Sequence, residues 1–280
     1  MRRLLSTLSA PPGGSWSTTP PPEVEQQEVT PVRVAVAGGT GTVGRHVVAV
    51  LRTAGHEPVV LARSRGIDVA TGTGLAAVLA GADAVIDVSN VPTTRRRAAV
   101  RYFPAASSNL LRAGEQAGVQ HHVALSIVGI DGARFGYYQG KRRQEDVVLT
   151  GPVPATVLRA TQFLEFVGQV LAQSRGPLAP VPRMLTQPVA AREVAEALVN
   201  CAVGPPQGRA PDLAGPQVHE VVDLARRLLR ARGERRLIVP LTLPGAAARQ
   251  MRHGALLAGP GARLGTQTFD QWLQAHPTSG

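Results

Sequence analysis

Lysine, cysteine and aromatic side chains are nearly missing from this 280-residue chain, and each shortage narrows what the protein can be. A single cysteine, Cys201, can form neither an internal disulfide nor a cysteine-rich metal site, so a reducing, cytoplasmic setting is expected. No run of 18 or more uncharged apolar residues occurs, so no membrane-spanning helix and no membrane partner are expected. Histidines and carboxylates do not fall at ligand spacing: His46 and His56 stand alone, and the adjacent His121 and His122 point to opposite faces of a strand. No metal is expected. The formal net charge is +11, but no basic run exceeds three residues, as at Arg95-Arg96-Arg97, so the charge is scattered and nucleic acid is not an expected partner.

What is present is arginine. Of the 30 basic residues 29 are arginine, and the one lysine is Lys141. An ammonium is compact and shifts its pKa readily, whereas a guanidinium is forked and always charged, so a site that needs the ammonium resists replacement by arginine. The apolar fraction of 44% is ample for a core. Residues 1–30 are rich in Pro, Ser and Thr without apolar periodicity and read as a disordered tail. From Pro31 onward short β-branched runs alternate with helical patterns: strands at 32–37, 58–62, 84–88, 122–127 and 155–158, with helices at 42–54, 73–80, 97–117 and 137–149 between them. That alternation predicts a doubly wound parallel α/β sheet. Residues 31–160 are read as the nucleotide-binding core. Residues 161–280, with helices at 163–173, 191–201, 217–230 and 268–274, a strand at 237–239 and a proline-rich loop at 177–188, are read as a small substrate lobe completing the same domain.

The first strand runs into Gly38-Gly39-Thr40-Gly41-Thr42-Val43-Gly44 and then a helix. Glycines permit positive φ and close backbone approach, and the free amides and dipole at the helix start attract phosphate. In this strand–turn–helix context the spacing predicts a dinucleotide site formed by Gly38, Thr40, Gly41, Thr42, Val43 and Gly44. Nineteen residues after Gly44, where an NAD site would carry a carboxylate, stand Arg63, Ser64 and Arg65. A guanidinium forks onto phosphate, so NADP(H) is expected over NAD(H). Asp68 is a candidate adenine contact or a turn residue, and Ser89 and Asn90 follow a strand that would end beside the ribose and phosphates.

Ser126 ends a later strand, and eleven residues on a helix opens with Tyr137-Tyr138-Gln139-Gly140-Lys141. Tyr137 and Lys141 are i and i+4 and share a helix face. A neighbouring ammonium would lower the phenol pKa, making Tyr137 an acid/base, with Ser126 bonding the same substrate oxygen and Lys141 also reaching the nicotinamide ribose. Phe163, Phe166 and Met184 could line a substrate pocket, though their spacing serves a core as well.

Residues 32 to about 275 resemble an atypical short-chain dehydrogenase/reductase of the NmrA-like NAD(P)H-binding group. The resemblance lies in residues 34–44, in Leu61-Ala62-Arg63-Ser64, in 79–86, in Tyr137-Tyr138-Gln139-Gly140-Lys141 and in 156–163, with support from 187–195, 213–216 and 268–273. It implies a Rossmann fold, NADP(H) on the glycine turn and Arg63, and Ser126, Tyr137 and Lys141 at the active site. Ala160 stands where such proteins often carry proline, and the segment after Arg63 is short. The implied activity is reduction of a carbonyl, quinone or enone of a small molecule by a monomer or homodimer; the alternative is a protein that senses NADP(H) without turnover.

Overall fold

The computed structural model describes residues 30–93, 95–132 and 135–276; all but the last residue of the tail expected at 1–30 lies outside them. In chain order the elements are β1 (Arg33–Ala37), α1 (Thr42–Thr53), β2 (Glu57–Leu61), α2 (Leu75–Leu79), β3 (Ala84–Asp87), α3 (Arg96–Ala117), β4 (His121–Ile127), α4 (Gly136–Leu149), β5 (Ala155–Ala160) and α5 (Phe166–Ala172). They continue with β6 (Leu178–Pro182), β7 (Leu185–Thr186), α6 (Ala191–Val203), β8 (Gly208–Arg209), β9 (Leu213–Ala214), β10 (His219–Glu220), α7 (Val221–Ala231), β11 (Leu237–Leu241), α8 (Ala246–Arg252), β12 (Arg263–Leu264) and α9 (Phe269–Ala275).

Eight strands form one parallel sheet in the order β12-β9-β5-β4-β3-β1-β2, with β8 also on β5. The fold is the doubly wound Rossmann type expected from the alternation. Strand period 2 divides the core in two. Val34 and Val36 of β1, Ile86 of β3, Val123 and Leu125 of β4 and Leu158 of β5 pack on α1 and α6. Ala35, Ala37, Val85, Ala124 and Val157 face α2, α3 and α4 on the other side. The same parity puts Asp87, Ser126 and Arg159 on the α3/α4 face. In α6 the buried residues Ala191, Val194, Ala195, Leu198 and Ala202 recur at helical spacing, which is why that helix lies against the sheet although it comes late in the chain.

A second apolar core gathers Val167 and Leu171 of α5, Ala179 and Val181 of β6, Val222, Leu224 and Leu228 of α7, and Phe269 and Trp272 of α9. Met184 is buried within it and Phe166 packs against it, so both belong to the lobe core. The segment at 177–188, expected as a loop, contains β6 and β7. Its prolines are compatible with strand because β6 belongs to a two-stranded ribbon with β11 and has no second ladder to feed. Residues 161–280 also extend the main sheet through β9 and β12. There Glu193 of α6 accepts the backbone amides of Thr266 (2.6 Å) and Gln267 (3.1 Å) and the Thr266 hydroxyl (2.8 Å), clamping the segment after β12.

Candidate active site

Strand order reverses between β1 and β3, each of which continues into a turn at the carboxyl edge of the sheet, where open α/β folds bind ligands. The two turns are in contact. Gly38 has φ +80°, and a Cβ there would stand 2.7 Å from the Val88 carbonyl and 2.9 Å from the Ser89 Cα. A Cβ on Gly44 would lie 2.1 Å from the Gly38 carbonyl, so this glycine lets α1 start directly against the turn. Gly41 is different: a Cβ there would keep 3.2 Å from its nearest neighbour. No side chain caps α1, whose first turn carries no acid, and Thr40 and Gly41 are exposed. An uncapped helix start with open backbone at a sheet edge suits a pyrophosphate.

Arg63, Ser64 and Arg65 form an exposed single 3-10 turn right after β2, which puts their side chains at the same edge. Asp68 accepts from the Ala70 amide (2.8 Å) and pairs with Thr73 through the backbone, and Asn109 of α3 donates to the Val69 and Ala70 carbonyls (3.0 Å each). The short segment after Arg63 is thus a loop tied to α3, with one Asp68 oxygen used to make its turn. Ser89 is buried, and its amide donates to Asp87 at 2.9 Å.

On the far side of this edge the Tyr137 hydroxyl donates to Asn90 Oδ1 at 2.8 Å, joining α4 to the turn after β3. Tyr137 also stands in a chain of ring contacts: Tyr102–Phe103 (5.4 Å), Phe103–Tyr137 (5.3 Å) and Tyr137–Tyr138 (5.9 Å) meet edge to face, and Tyr138–Phe135 (6.1 Å between centroids) is tilted. All three tyrosines of the chain are in it. Burial, with Tyr138 and Tyr102 close by, raises the Tyr137 phenol well above the usual tyrosine range, and burial alone pushes Tyr138 up to about 12.

Lys141 does not lower the Tyr137 pKa, which corrects the sequence expectation. Its ammonium is turned inward and only 5% exposed, donating to the Leu125 carbonyl (2.7 Å) and Gln144 Oε1 (2.5 Å) and lying 4.8 Å from the centre of the Phe103 ring. Gln144 passes the polarity on, donating to Asp87 (2.9 Å) and Ser107 (3.0 Å), while Ser107 donates to the fully buried Asp87 at 3.0 Å. The reason is the shared helix face itself: Lys141 and Gln144 lie under α4 where Asp87 offers the opposite charge, and Phe103 covers the approach. Burial pulls the Lys141 ammonium down to about 8, against the pull of Asp87 and Glu145.

Ser126 is buried at the end of β4 below α4. Its hydroxyl has no hydrogen-bond partner of full geometry, yet it lies close enough to Glu145 to favour the carboxylate. Burial would raise Glu145, but bonds from Arg159 (2.7 and 2.8 Å) and Arg209 (2.7 Å) outweigh it and hold the carboxyl below its ordinary value. Arg159 also forks onto Asp131 (2.6 and 3.0 Å) in the loop before α4, lowering that carboxyl too. Two ionic networks therefore seat α4, one through Lys141 and one through Glu145.

Asp87, Gln144, Phe103, Glu145 and Arg159 were not singled out from sequence. The parity that sends Asp87, Ser126 and Arg159 to one face, with Gln144 and Glu145 at i+3 and i+4 from Lys141, is the signal that could have found them. His121 bonds the Thr156 hydroxyl (2.8 Å), and His122 is buried with its pKa pulled down to about 4 by burial, so both act as neutral core residues. Among the described residues no group of three or more His, Cys, Asp or Glu could hold a metal ion.

The comparisons fit this geometry. No family model matches the chain, and no curated protein does. Solved structures do. A short-chain dehydrogenase/reductase superfamily protein from Agrobacterium tumefaciens with bound NAD superposes with a TM-score of 0.64 at 18% identity, over 88% of this chain and 96% of that one. RMD from Pseudomonas aeruginosa, complexed with NADPH, gives 0.61 at 17% identity over 87% and 97%. UDP-N-acetylglucosamine 4-epimerase from Bacillus cereus gives 0.63 at 15% identity over 87% and 96%. The chain has the fold of the short-chain dehydrogenase/reductase structures along most of its length.

Proposed function

We propose that this chain is an NADP(H)-dependent reductase of the atypical, NmrA-like kind, acting in the cytoplasm as a monomer or homodimer on a carbonyl, quinone or enone of a small molecule. The observation that carries the reading is the placement of an uncapped glycine turn and a protonated tyrosine on the two sides of one sheet edge, joined through Asn90. Gly38, Thr40, Gly41, Thr42, Val43 and Gly44 would hold the pyrophosphate, Arg63 and Ser64 the 2′-phosphate, with Ser89 beside the ribose and phosphates and Asp68 by the adenine. The cofactor held there would supply a hydride. Tyr137 would give its proton to the substrate oxygen, while Ser126, expected to orient that oxygen, is instead buried beside Glu145, about two turns of α4 from Tyr137, and has no part in this step. A phenol held above its ordinary pKa stays protonated at neutral pH and can still donate to a developing alkoxide, which is the role reduction requires. Lys141 keeps a place in the site as the cation that seats the helix of Tyr137 from below.

The test is loss of reduced-nicotinamide absorbance when purified protein meets NADPH and a library of quinones, enones and carbonyls. Turnover that disappears in Tyr137→Phe supports the reading. The inward Lys141 also favours a second one, a sensor that binds NADP(H) without hydride transfer. Submicromolar binding with no NADPH oxidation across the whole library would establish the sensor and end the reductase reading.

A further inference from the structure

Seven large hydrophobic residues are exposed among those described, and four of them share one place: Leu178 (52%), Leu237 (66%), Leu241 (36%) and Leu243 (41%). They belong to the β6–β11 ribbon and the loop after it. In the ribbon Leu237 pairs with Leu178, Val239 with Pro180 and Leu241 with Pro182. The alternate residues Ala179 and Val181 are fully buried and Ile238 packs on the lobe core, so one side of the ribbon is satisfied. The other side carries only apolar residues, Leu178, Pro180 and Pro182 from β6 and Leu237, Val239 and Leu241 from β11. Soluble proteins scatter exposed leucines singly; four together mark an interaction surface.

The rim is basic. A cleft of about 390 Å³ opens beside Leu237 and Ile238 and is lined by Arg226, Arg230 and Arg236, with Glu234 its one acid; Arg236 is bound to the Leu171, Ser174, Gly176 and Leu178 carbonyls and Arg226 to Asp223, so the cations presented here are the exposed Arg230 and, just before β11, the exposed Arg235. Exposed Arg175 precedes β6, exposed Arg183 follows it and donates its amide to the Leu241 carbonyl, and Arg252 donates to the Leu243 carbonyl. An apolar centre with a cationic border complements a surface that is apolar inside and anionic outside.

We propose that the outer face of the β6–β11 ribbon is a docking surface for an anionic phospholipid bilayer, with Leu237, Leu241 and Leu243 entering the acyl boundary and the exposed Arg175, Arg183, Arg230 and Arg235 taking headgroup phosphates. Two alternatives fit less well. A second copy of the chain would set one arginine rim against another. A protein strand would add to a ribbon edge through backbone amides, but Pro180 and Pro182 in β6 and Pro240 in β11 remove those donors. A bilayer needs no ladder. This surface is independent of the nucleotide site, and it lies flat on the membrane: no helix among the described residues is long and apolar enough to cross one.

The experiment is co-sedimentation of the full chain with vesicles of phosphatidylcholine alone or with a third of phosphatidylserine. Generic attraction by the net charge is separated by two variants with opposite changes. Leu237→Ser/Leu241→Ser/Leu243→Ser keeps every charge, and Arg230→Gln/Arg235→Gln keeps every leucine; Arg52→Gln/Arg143→Gln, on helices of the main sheet, removes the same charge elsewhere. The expected result is binding to the anionic vesicles that falls at least tenfold in each of the first two variants and less than threefold in the third. Leu243→Trp should show a blue-shifted emission with anionic vesicles. Undiminished binding of the leucine variant, equal losses in both arginine pairs, no vesicle binding, or a leucine-dependent dimer without vesicle binding would each overturn the proposal. Unchanged thermal unfolding of the variants confirms that they fold.

Discussion

The Tyr137 hydroxyl donates to Asn90, not to any group on its own helix, and the ammonium one turn below it faces the other way. The phenol therefore belongs electrically to the turn after β3. Tyr137→Phe is expected to lower reductive turnover by about 10²- to 10⁴-fold, the usual span for a positioned acid, with NADPH affinity nearly unchanged. Because burial holds the phenol protonated well past its ordinary range, its ionisation should leave kcat flat up to about pH 10. A decline centred near pH 7 that vanishes in Tyr137→Phe would contradict this.

Lys141 makes a separate prediction through stability. Its folded pKa of about 8 lies below the ordinary lysine value of 10.5, so between those limits the unfolded chain binds more protons than the native one. The cost of burying the ammonium is complete below pH 8 and is relieved as pH rises, so its contribution makes stability increase from pH 8 towards pH 10. Lys141→Met should lose that slope. At pH 7, where that cost is complete, its removal offsets the loss of the bonds to Gln144 and the Leu125 carbonyl, so the variant should fall short of the wild type by less at pH 7 than at pH 10. Denaturant titrations at three pH values would measure both effects.

The Glu145 network acts at the acid end. Asp131 and Glu145 both have folded pKa values below their ordinary ones, so the stability they lend is present at neutral pH and fades as pH falls through and below about 4. Arg159→Met should flatten that acid limb while costing about 3 kcal/mol at pH 7, since Glu145 is left buried with Arg209 alone. Urea midpoints at pH 3.5 and pH 7, compared between the two proteins, decide the matter.

Two glycines of the phosphate turn should respond differently. Gly44→Ala sets a methyl 2.1 Å from a backbone oxygen and has to push α1 off the turn, so both thermal stability and NADPH binding should collapse. Gly41→Ala needs only a few tenths of an ångström and should fold normally, with a modest loss of affinity. Melting curves beside NADPH fluorescence titrations separate the two.

Arg63→Asp replaces a cation at the end of β2 with a carboxylate. NADPH affinity should fall by about 10- to 100-fold, the worth of a charge-assisted contact, while NADH affinity holds or improves. Unchanged NADPH affinity would remove Arg63 from the cofactor site.

Much of this was legible in the sequence because strong periodicity states it directly. The five leading strands and the helices between them fall within a few residues of their expected places, since parallel strands covered on both faces are continuous apolar runs. The small strands β7–β10 and β12 have two residues each, too few to show any period. The helix at 246–252 is marked only by alanines after Pro244-Gly245, and β6 hides among prolines that ordinarily argue against strand, whereas its partner β11 was expected at 237–239. At the site, i and i+4 spacing put Tyr137 and Lys141 on one helix but could not give the direction of the ammonium. That depended on Asp87, Ser107 and Phe103, which reach it from other elements.

The weave of β9 and β12 into the far end of the main sheet, with Glu193 gripping the residues just past it, has a temporal meaning. The sheet can be finished only after Leu264 has been made. Until β8 and β9 arrive β5 waits with one flank bare, and then β9 does until β12 follows, so the growing chain must be kept from sticking to others through those edges.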